Sequence, residues 1–261
     1  MENKDTIRVV YVEPYKTARV IELGTELEDM QKAVGGDIEP FYPFEEAVGI
    51  VCNDEGKING MPANRAVYDE NGEILYISKE CFSNGCAATV DVSYPSIPMF
   101  LIYNPELVKG MMRPVYRYAD SDEWKKEMKY DFAPHDVGQY PILNGQVYGE
   151  NALHMQMPVE ECGNMIIMEA NVAIAEGNAD FAAEHIDVLR DWCKYLIKYG
   201  DDPENQLCTD DFAGHLAHNC NLSVKAIMGM AAWGMILKMM GKEDKFTSVA
   251  KDYATSVVLL P

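Results

Sequence analysis

Two periodicities divide the chain. From Thr6 to Ile77 the apolar positions fall in short β-branched runs, Ile7-Arg-Val-Val-Tyr-Val12, Ala18-Arg-Val-Ile-Glu-Leu23 and Gly49-Ile-Val-Cys52, the last followed by turn residues Asn53-Asp54-Glu55-Gly56. Between them Leu27, Met30, Ala33 and Val34 share one face of a helix over Glu26–Val34, which Gly35-Gly36 closes. The pattern predicts a small α+β module. Asp69-Glu-Asn-Gly72 is a hairpin signal before Glu73–Ile77, and the boundary is placed near Ser78, giving a first domain over 1–77 and a second over 78–261.

From Phe82 onward the period is helical, with long loops rich in Gly, Pro and Asn. Pro98–Tyr103 begins an apolar helix, Pro105–Tyr118 reads as its partner, and Glu123–Lys129 is a charged turn. Pro158–Glu176 is apolar on nearly every side and so is buried, whereas Ala179–Tyr199 is amphipathic, with Phe181, Ile186, Leu189, Trp192, Cys193, Leu196 and Ile197 on one face. The scheme repeats with apolar Leu222–Met240 and charged Lys242–Leu259. A buried helix followed by an exposed one, three times over, predicts a mainly α fold, a partial α/α toroid of three helix pairs. The aromatic and methionine positions Tyr94, Phe100, Tyr103, Trp192, Trp233, Met228 and Met230 read most simply as core.

In a toroid the buried helices run parallel, so the acidic residues at their starts gather at one mouth. These are Asp91, then Glu160 and Glu161, then Asp210 and Asp211 within Thr209-Asp-Asp-Phe-Ala-Gly-His215. Helix N-termini stabilise ionised carboxylates, while crowding of like charges keeps a proton on at least one, so an acid and a base are available together. Glu161 or Asp211 is the expected base, with the other or Glu160 as acid, and Asn164 or helix-terminal amides facing an oxyanion. Asp91, Tyr148, Asn164 and His215 are expected to bind substrate. For Glu160 and Asp210 simple helix capping competes evenly with chemistry. Ser248-Val-Ala-Lys251 has Ser-x-x-Lys spacing but lies on a polar helix face, and such a short match arises by chance. His215 and His218 could suggest a metal, yet Gly214 argues against a helix already formed there, and a loop histidine bonded to a carboxylate is the preferred reading. His135-Asp136 and His154 look isolated. No metal or cofactor is expected.

Composition narrows the partners. A formal charge of −20 would repel phosphate backbones and anionic lipid, so nucleic acid and membrane surfaces are not expected. The start, Met1-Glu-Asn-Lys-Asp-Thr6, has no basic segment followed by an apolar stretch, and seven unpaired-looking cysteines suit a reducing compartment; a cytoplasmic location is expected.

Two resemblances complete the reading. Residues 6–77, through Gln31-Lys-Ala-Val-Gly-Gly36, Tyr42-Pro-Phe44, Cys52-Asn-Asp-Glu-Gly56 and Asn59-Gly-Met-Pro-Ala-Asn-Arg65, resemble a small domain of unknown function common in phage and mobile-element proteins of gut Firmicutes. It implies no chemistry; Asn64 and Arg65 read as an exposed turn. Residues 78–256 resemble the glutaminase A family through Ser78-Lys-Glu-Cys-Phe-Ser-Asn-Gly85, Thr89-Val-Asp-Val-Ser-Tyr-Pro-Ser96, Tyr103-Asn-Pro-Glu-Leu-Val-Lys-Gly110, His135-Asp-Val-Gly138, Tyr140-Pro-Ile-Leu-Asn-Gly-Gln-Val-Tyr-Gly149, Met157-Pro-Val-Glu-Glu-Cys-Gly-Asn164 and Gln206-Leu-Cys-Thr-Asp-Asp-Phe-Ala-Gly-His215. The resemblance implies a six-hairpin glycosidase-like toroid and a bacterial hydrolase acting on the L-glutamine side-chain amide. Members of that family are longer and carry more helix pairs, so this length is expected to leave the ring open, with activity lost or restored by homo-oligomer formation through the C-terminal pair, where Met228, Trp233, Met235 and Met239 would form an apolar patch. Two other functions stay open. One is a glycoside hydrolase, with Tyr140, Tyr148 and Trp233 stacking sugars, so the small-molecule substrate is glutamine or a glycan. The other is a non-catalytic binding protein of a mobile element.

Overall fold

The computed structural model describes residues 5–41, 48–56, 59–62, 67–68, 71–78, 85–139, 143, 145–146, 151–209 and 214–258. The chain divides into two compact units, Met1–Gly72 and Glu73–Pro261.

In the first unit β1 (Thr6–Tyr11) and β2 (Arg19–Gly24) form an antiparallel ribbon with Ile7 opposite Leu23 and Val10 opposite Val20. Helix α1 (Leu27–Val34) follows, closed by Gly35 at φ 81°, where a side chain would be strained, and its amide returns to the Gln31 carbonyl. The Tyr11 hydroxyl donates to the Ala33 carbonyl and ties ribbon to helix. Strand β3 (Ile38–Phe41) pairs antiparallel with β4 (Ile50–Asn53). Strand β3 is not among the runs that the sequence pattern marks: a short run interrupted by Pro40 carries little strand signal until its partner supplies the ladder. A further strand, β5 (Val67–Tyr68), precedes the Asn71-Gly72 turn, whose Gly72 has φ 78°.

The second unit opens with β6 (Ile74–Leu75). It then builds two layers of helices. Helices α2 (Val90–Tyr103), α4 (Pro158–Glu176) and α7 (Cys220–Met239) pack side by side with α4 in the middle. Against them lie α3 (Pro105–Asp120), the pair α5 (Asp180–Glu184) and α6 (Ile186–Tyr199), and α8 (Phe246–Val258). These are the three pairs of a mainly α, six-hairpin-like arc. The described hydrophobic core begins at Cys86 and takes in Trp124, Trp192 and Trp233. Helix α4 is buried along most of its length because its apolar positions cover every side, and polar Glu160, Glu161, Asn164 and Glu169 are carried inside with them.

Helix α7 crosses α4 where two glycines meet. A Cβ on Gly229 would fall 2.6 Å from the Leu196 side chain and 3.2 Å from the Gly163 backbone, so a larger residue would have to displace Leu196 and press on α4. By length and composition α7 alone among the described helices could cross a bilayer, but half of that stretch is buried in the protein.

Several boundaries differ from those read in the sequence. The first helix starts at Val90, not Pro98, and runs through Pro95 and Pro98, so Asp91 lies in its first turn and not before it. The expected single helix over 179–199 breaks at His185, whose ring stacks on Tyr116 with centroids 3.8 Å apart. The last helix starts at Phe246 and not Lys242, because the Asp244 carboxylate accepts the Phe246 and Thr247 amides. Trp233 is 1% exposed and meets Phe246 edge-on, which removes it both from the expected apolar patch and from sugar stacking. Tyr103 and Met228, expected in the core, are exposed.

Candidate active site

The site is built first by backbone. Cys86 pairs with Gln139, and between these positions the Ala87 amide donates to the Gly138 carbonyl while the Val137 amide donates to Ala87. This clamp holds the His135 loop at the start of α2, where the His135 carbonyl accepts the Val90 amide at 2.8 Å. One of the four amides that a helix start leaves unpaired is thereby satisfied. The same bond sets the His135 ring beside Asp91.

His135 is 4% exposed and held on two sides. Its Nδ1 lies 3.0 Å from Asp136 Oδ2, while Asp136 Oδ1 accepts the Gly138 amide at 2.9 Å, so the fully buried Asp136 is itself fixed. Its Nε2 lies 3.5 Å from Asp91 Oδ1. Asp91 Oδ2 accepts the Thr209 hydroxyl at 3.0 Å, which joins the start of α2 to the loop before α7.

Glu160 and Glu161 leave the first turn of α4 in different directions. Glu160 Oε2 accepts the Thr209 amide at 3.2 Å and Oε1 pairs with Lys225 Nζ at 3.2 Å, so it bridges to α7 and its loop instead of capping its own helix. The start of α4 is capped from elsewhere, by Gln206 Oε1 accepting the Val159 amide. Glu161 is wholly buried; its Oε2 accepts Asn164 Nδ2 at 2.9 Å, and its Oε1 has no hydrogen-bond partner. Asn164 passes the connection on, its Oδ1 accepting Lys225 Nζ at 2.5 Å. Lys225 also stands 3.9 Å above the Tyr94 ring, a cation–π contact. The three helix starts converge, as parallel buried helices require.

Electrostatics then separate these groups. Burial pushes the Glu161 carboxyl well above its ordinary range and the Asp91 charge adds to this, against the opposing effects of His135 and Asn164. Burial would raise Asp91 too, but contact with His135 and the Thr209 hydrogen bond outweigh it and hold Asp91 below the usual value. For His135 burial favours the neutral ring, yet the carboxylates of Asp136, Asp91 and Glu161 overcome it and raise the imidazole to about 10. Carboxyls pushed in opposite directions, Glu161 up and Asp91 down, thus flank one imidazole, an arrangement able to give and take a proton. One donor atom each from Asp91, His135 and Glu161 lies within 4.8 Å of the others, and these are the residues that could share a cation.

Beside this cluster is an open groove of roughly 570 Å3 lined by Tyr94, Glu160, Thr209, Asn221, Lys225 and Met228 among others. Of the residues expected in the site, Asp91, Glu160, Glu161 and Asn164 come together. Asp210, Asp211 and Tyr148 lie outside the described residues, although Thr209, next to Asp210, touches both Asp91 and Glu160. His215 is exposed on the loop before α7. His218 is bonded to a carboxylate, with Nδ1 2.6 Å from Asp202, and His154 is exposed. Ser248 only donates to the Lys245 carbonyl. Neither His135, which looks isolated in the sequence, nor Lys225 is marked by local spacing as part of a site. The His-Asp dipeptide, and a lysine early in an otherwise apolar helix, were the available signals.

Comparison with known proteins agrees with this architecture. Residues 7–89 match the model of a domain of unknown function (DUF3846), and residues 60–260 match the glutaminase A six helical-hairpin domain. The chain is 39% identical over 179 residues to the glutaminase A of Aspergillus oryzae, covering 67% of this chain and 25% of that protein. It is 29% identical over 271 aligned positions to a probable glutaminase of Arthroderma benhamiae, covering 81% of this chain and 30% of the relative. The chain thus spans between a quarter and a third of the length of these fungal relatives. With the helical unit, its converging helix starts and most of the chain matched, this protein belongs to the glutaminase A six helical-hairpin domain family.

Proposed function

We propose that the helical unit hydrolyses a small linear amide, with the side chain of L-glutamine as the substrate class, giving a carboxylate and ammonia. The observation that carries this reading is the convergence of three helix starts, which places Glu160 and Lys225 on one open groove and ties Asp91 and His135 to it through Thr209. The similarity to two glutaminases supports the choice of amide over glycosidic bond.

Amide hydrolysis needs a base for the attacking water, charge to balance the oxyanion and a proton for the departing amine. Of the two bases expected from sequence, Asp211 lies outside the described residues and Glu161 is fully buried, so that role is given to Asp91, oriented by His135 and by Thr209, which itself lines the groove. Glu160 and Lys225 form an ion pair that a zwitterion could exchange for itself, substrate ammonium to Glu160 and substrate carboxylate to Lys225. Glu161 and Asn164 act behind them as positioning residues, Glu161 holding Asn164 and Asn164 holding Lys225.

The test is ammonia release from L-glutamine by the full chain, run beside reducing-sugar release from glycans. We expect ammonia alone, reduced at least about 100-fold by Asp91→Asn and by Glu160→Gln with unchanged thermal stability. Sugar release, or a folded protein inert toward glutamine, would overturn the reading.

A further inference from the structure

We propose that Asp91, His135 and Glu161 together bind one divalent transition-metal cation. This goes beyond amide hydrolysis and does not depend on it, since it rests on the donors alone.

The geometry comes first. Donors on one cation with bonds of about 2.0–2.2 Å stand about 3–4 Å apart. His135 Nε2 and Asp91 Oδ1 are 3.5 Å apart, and a donor atom of Glu161 completes a set whose members all lie within 4.8 Å. The three come from separate places, the first turn of α2, the clamped loop and the first turn of α4, so they surround a point instead of lining one face.

Two carboxylate oxygens of this set, Asp91 Oδ1 and Glu161 Oε1, are buried without a hydrogen-bond partner. Leaving such an oxygen unpaired is costly, and each is on the residue whose other oxygen is already used, by Thr209 and by Asn164. A cation between them would satisfy both at once, taking the place at His135 Nε2 of the ring proton, which is released to solvent on binding. The surrounding shell fits as well. A metal-bound histidine commonly gives its second ring nitrogen to a carboxylate, and Asp136, itself fixed by the Gly138 amide, occupies that place at Nδ1.

The donor set also selects the cation. One imidazole and two carboxylates suit Mn2+ or Zn2+; Ca2+ prefers six or more oxygens, and Mg2+ rarely takes a ring nitrogen.

The full chain, stripped with EDTA and dialysed, is titrated with MnCl2 while the electron paramagnetic resonance signal of free Mn2+ is followed, with ZnCl2 as competitor and MgCl2 and CaCl2 as controls. We expect one Mn2+ per chain, displaced by Zn2+ and not by equal Ca2+. Glu161→Gln, which keeps the Asn164 bond, and Asp91→Asn should each weaken binding by at least about tenfold. Glu160→Gln should leave it nearly unchanged. Absence of stoichiometric binding, or binding indifferent to both variants at the cluster, overturns the site. Binding by a chain that releases no ammonia retains the site and removes the glutaminase reading; full ammonia release by stripped protein that binds no Mn2+ does the reverse.

Discussion

The most consequential single residues away from the groove are buried and titratable. Glu169, two turns along α4 from Glu161, accepts the Tyr116 hydroxyl at 2.7 Å through one oxygen, and its other oxygen is buried without a partner. Burial raises this carboxyl from 4.5 to about 8. The unfolded chain releases that proton near pH 4.5 and the folded one near 8, so stability declines as pH rises through this interval. We expect the urea midpoint to fall between pH 5 and 8.5, and Glu169→Gln, which still accepts from Tyr116, to abolish most of that fall and gain on the order of 4 kcal/mol at the upper end. A parallel profile in the variant would show that Glu169 is ionised in the fold. His185 carries the opposite slope. Burial lowers it from 6.5 to about 4, so the unfolded chain takes up a proton first as pH drops and stability is lost below about 6.5. His185→Phe, which keeps the stack on Tyr116, should flatten the profile from pH 6.5 to 4. Neither residue stood out in the sequence, because a glutamate in an apolar helix and a histidine in an amphipathic one acquire unusual ionisation only from what packs around them.

At the scale of elements, helix type and order followed from apolar spacing, and the errors lay at the ends. Leu27–Val34 and Pro158–Glu176 carry their own punctuation, Gly35 after one, Pro158 and Gly177 around the other. Helix α7 starts two residues before the Leu222 read from apolar spacing because Asn219 accepts the Asn221 and Leu222 amides. Asn219→Ala should therefore cost about 1 kcal/mol in thermal or urea denaturation, and no measurable loss would mean that the cap is replaced by solvent. The Gly163–Gly229 crossing is of another kind, since nothing local to either helix requires glycine there. Gly229→Ala must push Leu196 or separate α4 from α7, and we expect a loss of about 1–3 kcal/mol. Because Lys225 lies one turn before Gly229 and pairs with Glu160, the same substitution should also lower activity more than its stability loss explains; a variant equally active at a temperature where both are folded would count against that coupling.

For the molecule as a whole, the two compact units differ in how they are held together. None of the described residues of Met1–Gly72 is a fully buried hydrophobic, and its sheets have two strands each, whereas the helical unit has one continuous core. Two-stranded ribbons are marginal by themselves. Calorimetry of the full chain should show a dominant transition from the helical unit and a separate, lower one from the first unit, with the dominant one retained in a chain beginning at Glu73. A single cooperative transition, or a 73–261 chain that does not fold, would contradict this independence.

The sequence by itself determined the class of fold, the alternation of buried and exposed helices, the switch from strand to helix period and the acidic character of the helix starts. All of these depend on residues close to one another along the chain. Only the tertiary structure decided which carboxylates meet. Asp91 and Thr209 are 118 residues apart, and Glu160 reaches Thr209 across 49. His135 became central because its carbonyl completes the first turn of α2, a bond between segments that no local spacing announces. Glu160 and Glu161 are adjacent and chemically alike, yet consecutive helical positions point about 100° apart, so one lines a groove and the other is sealed in the core.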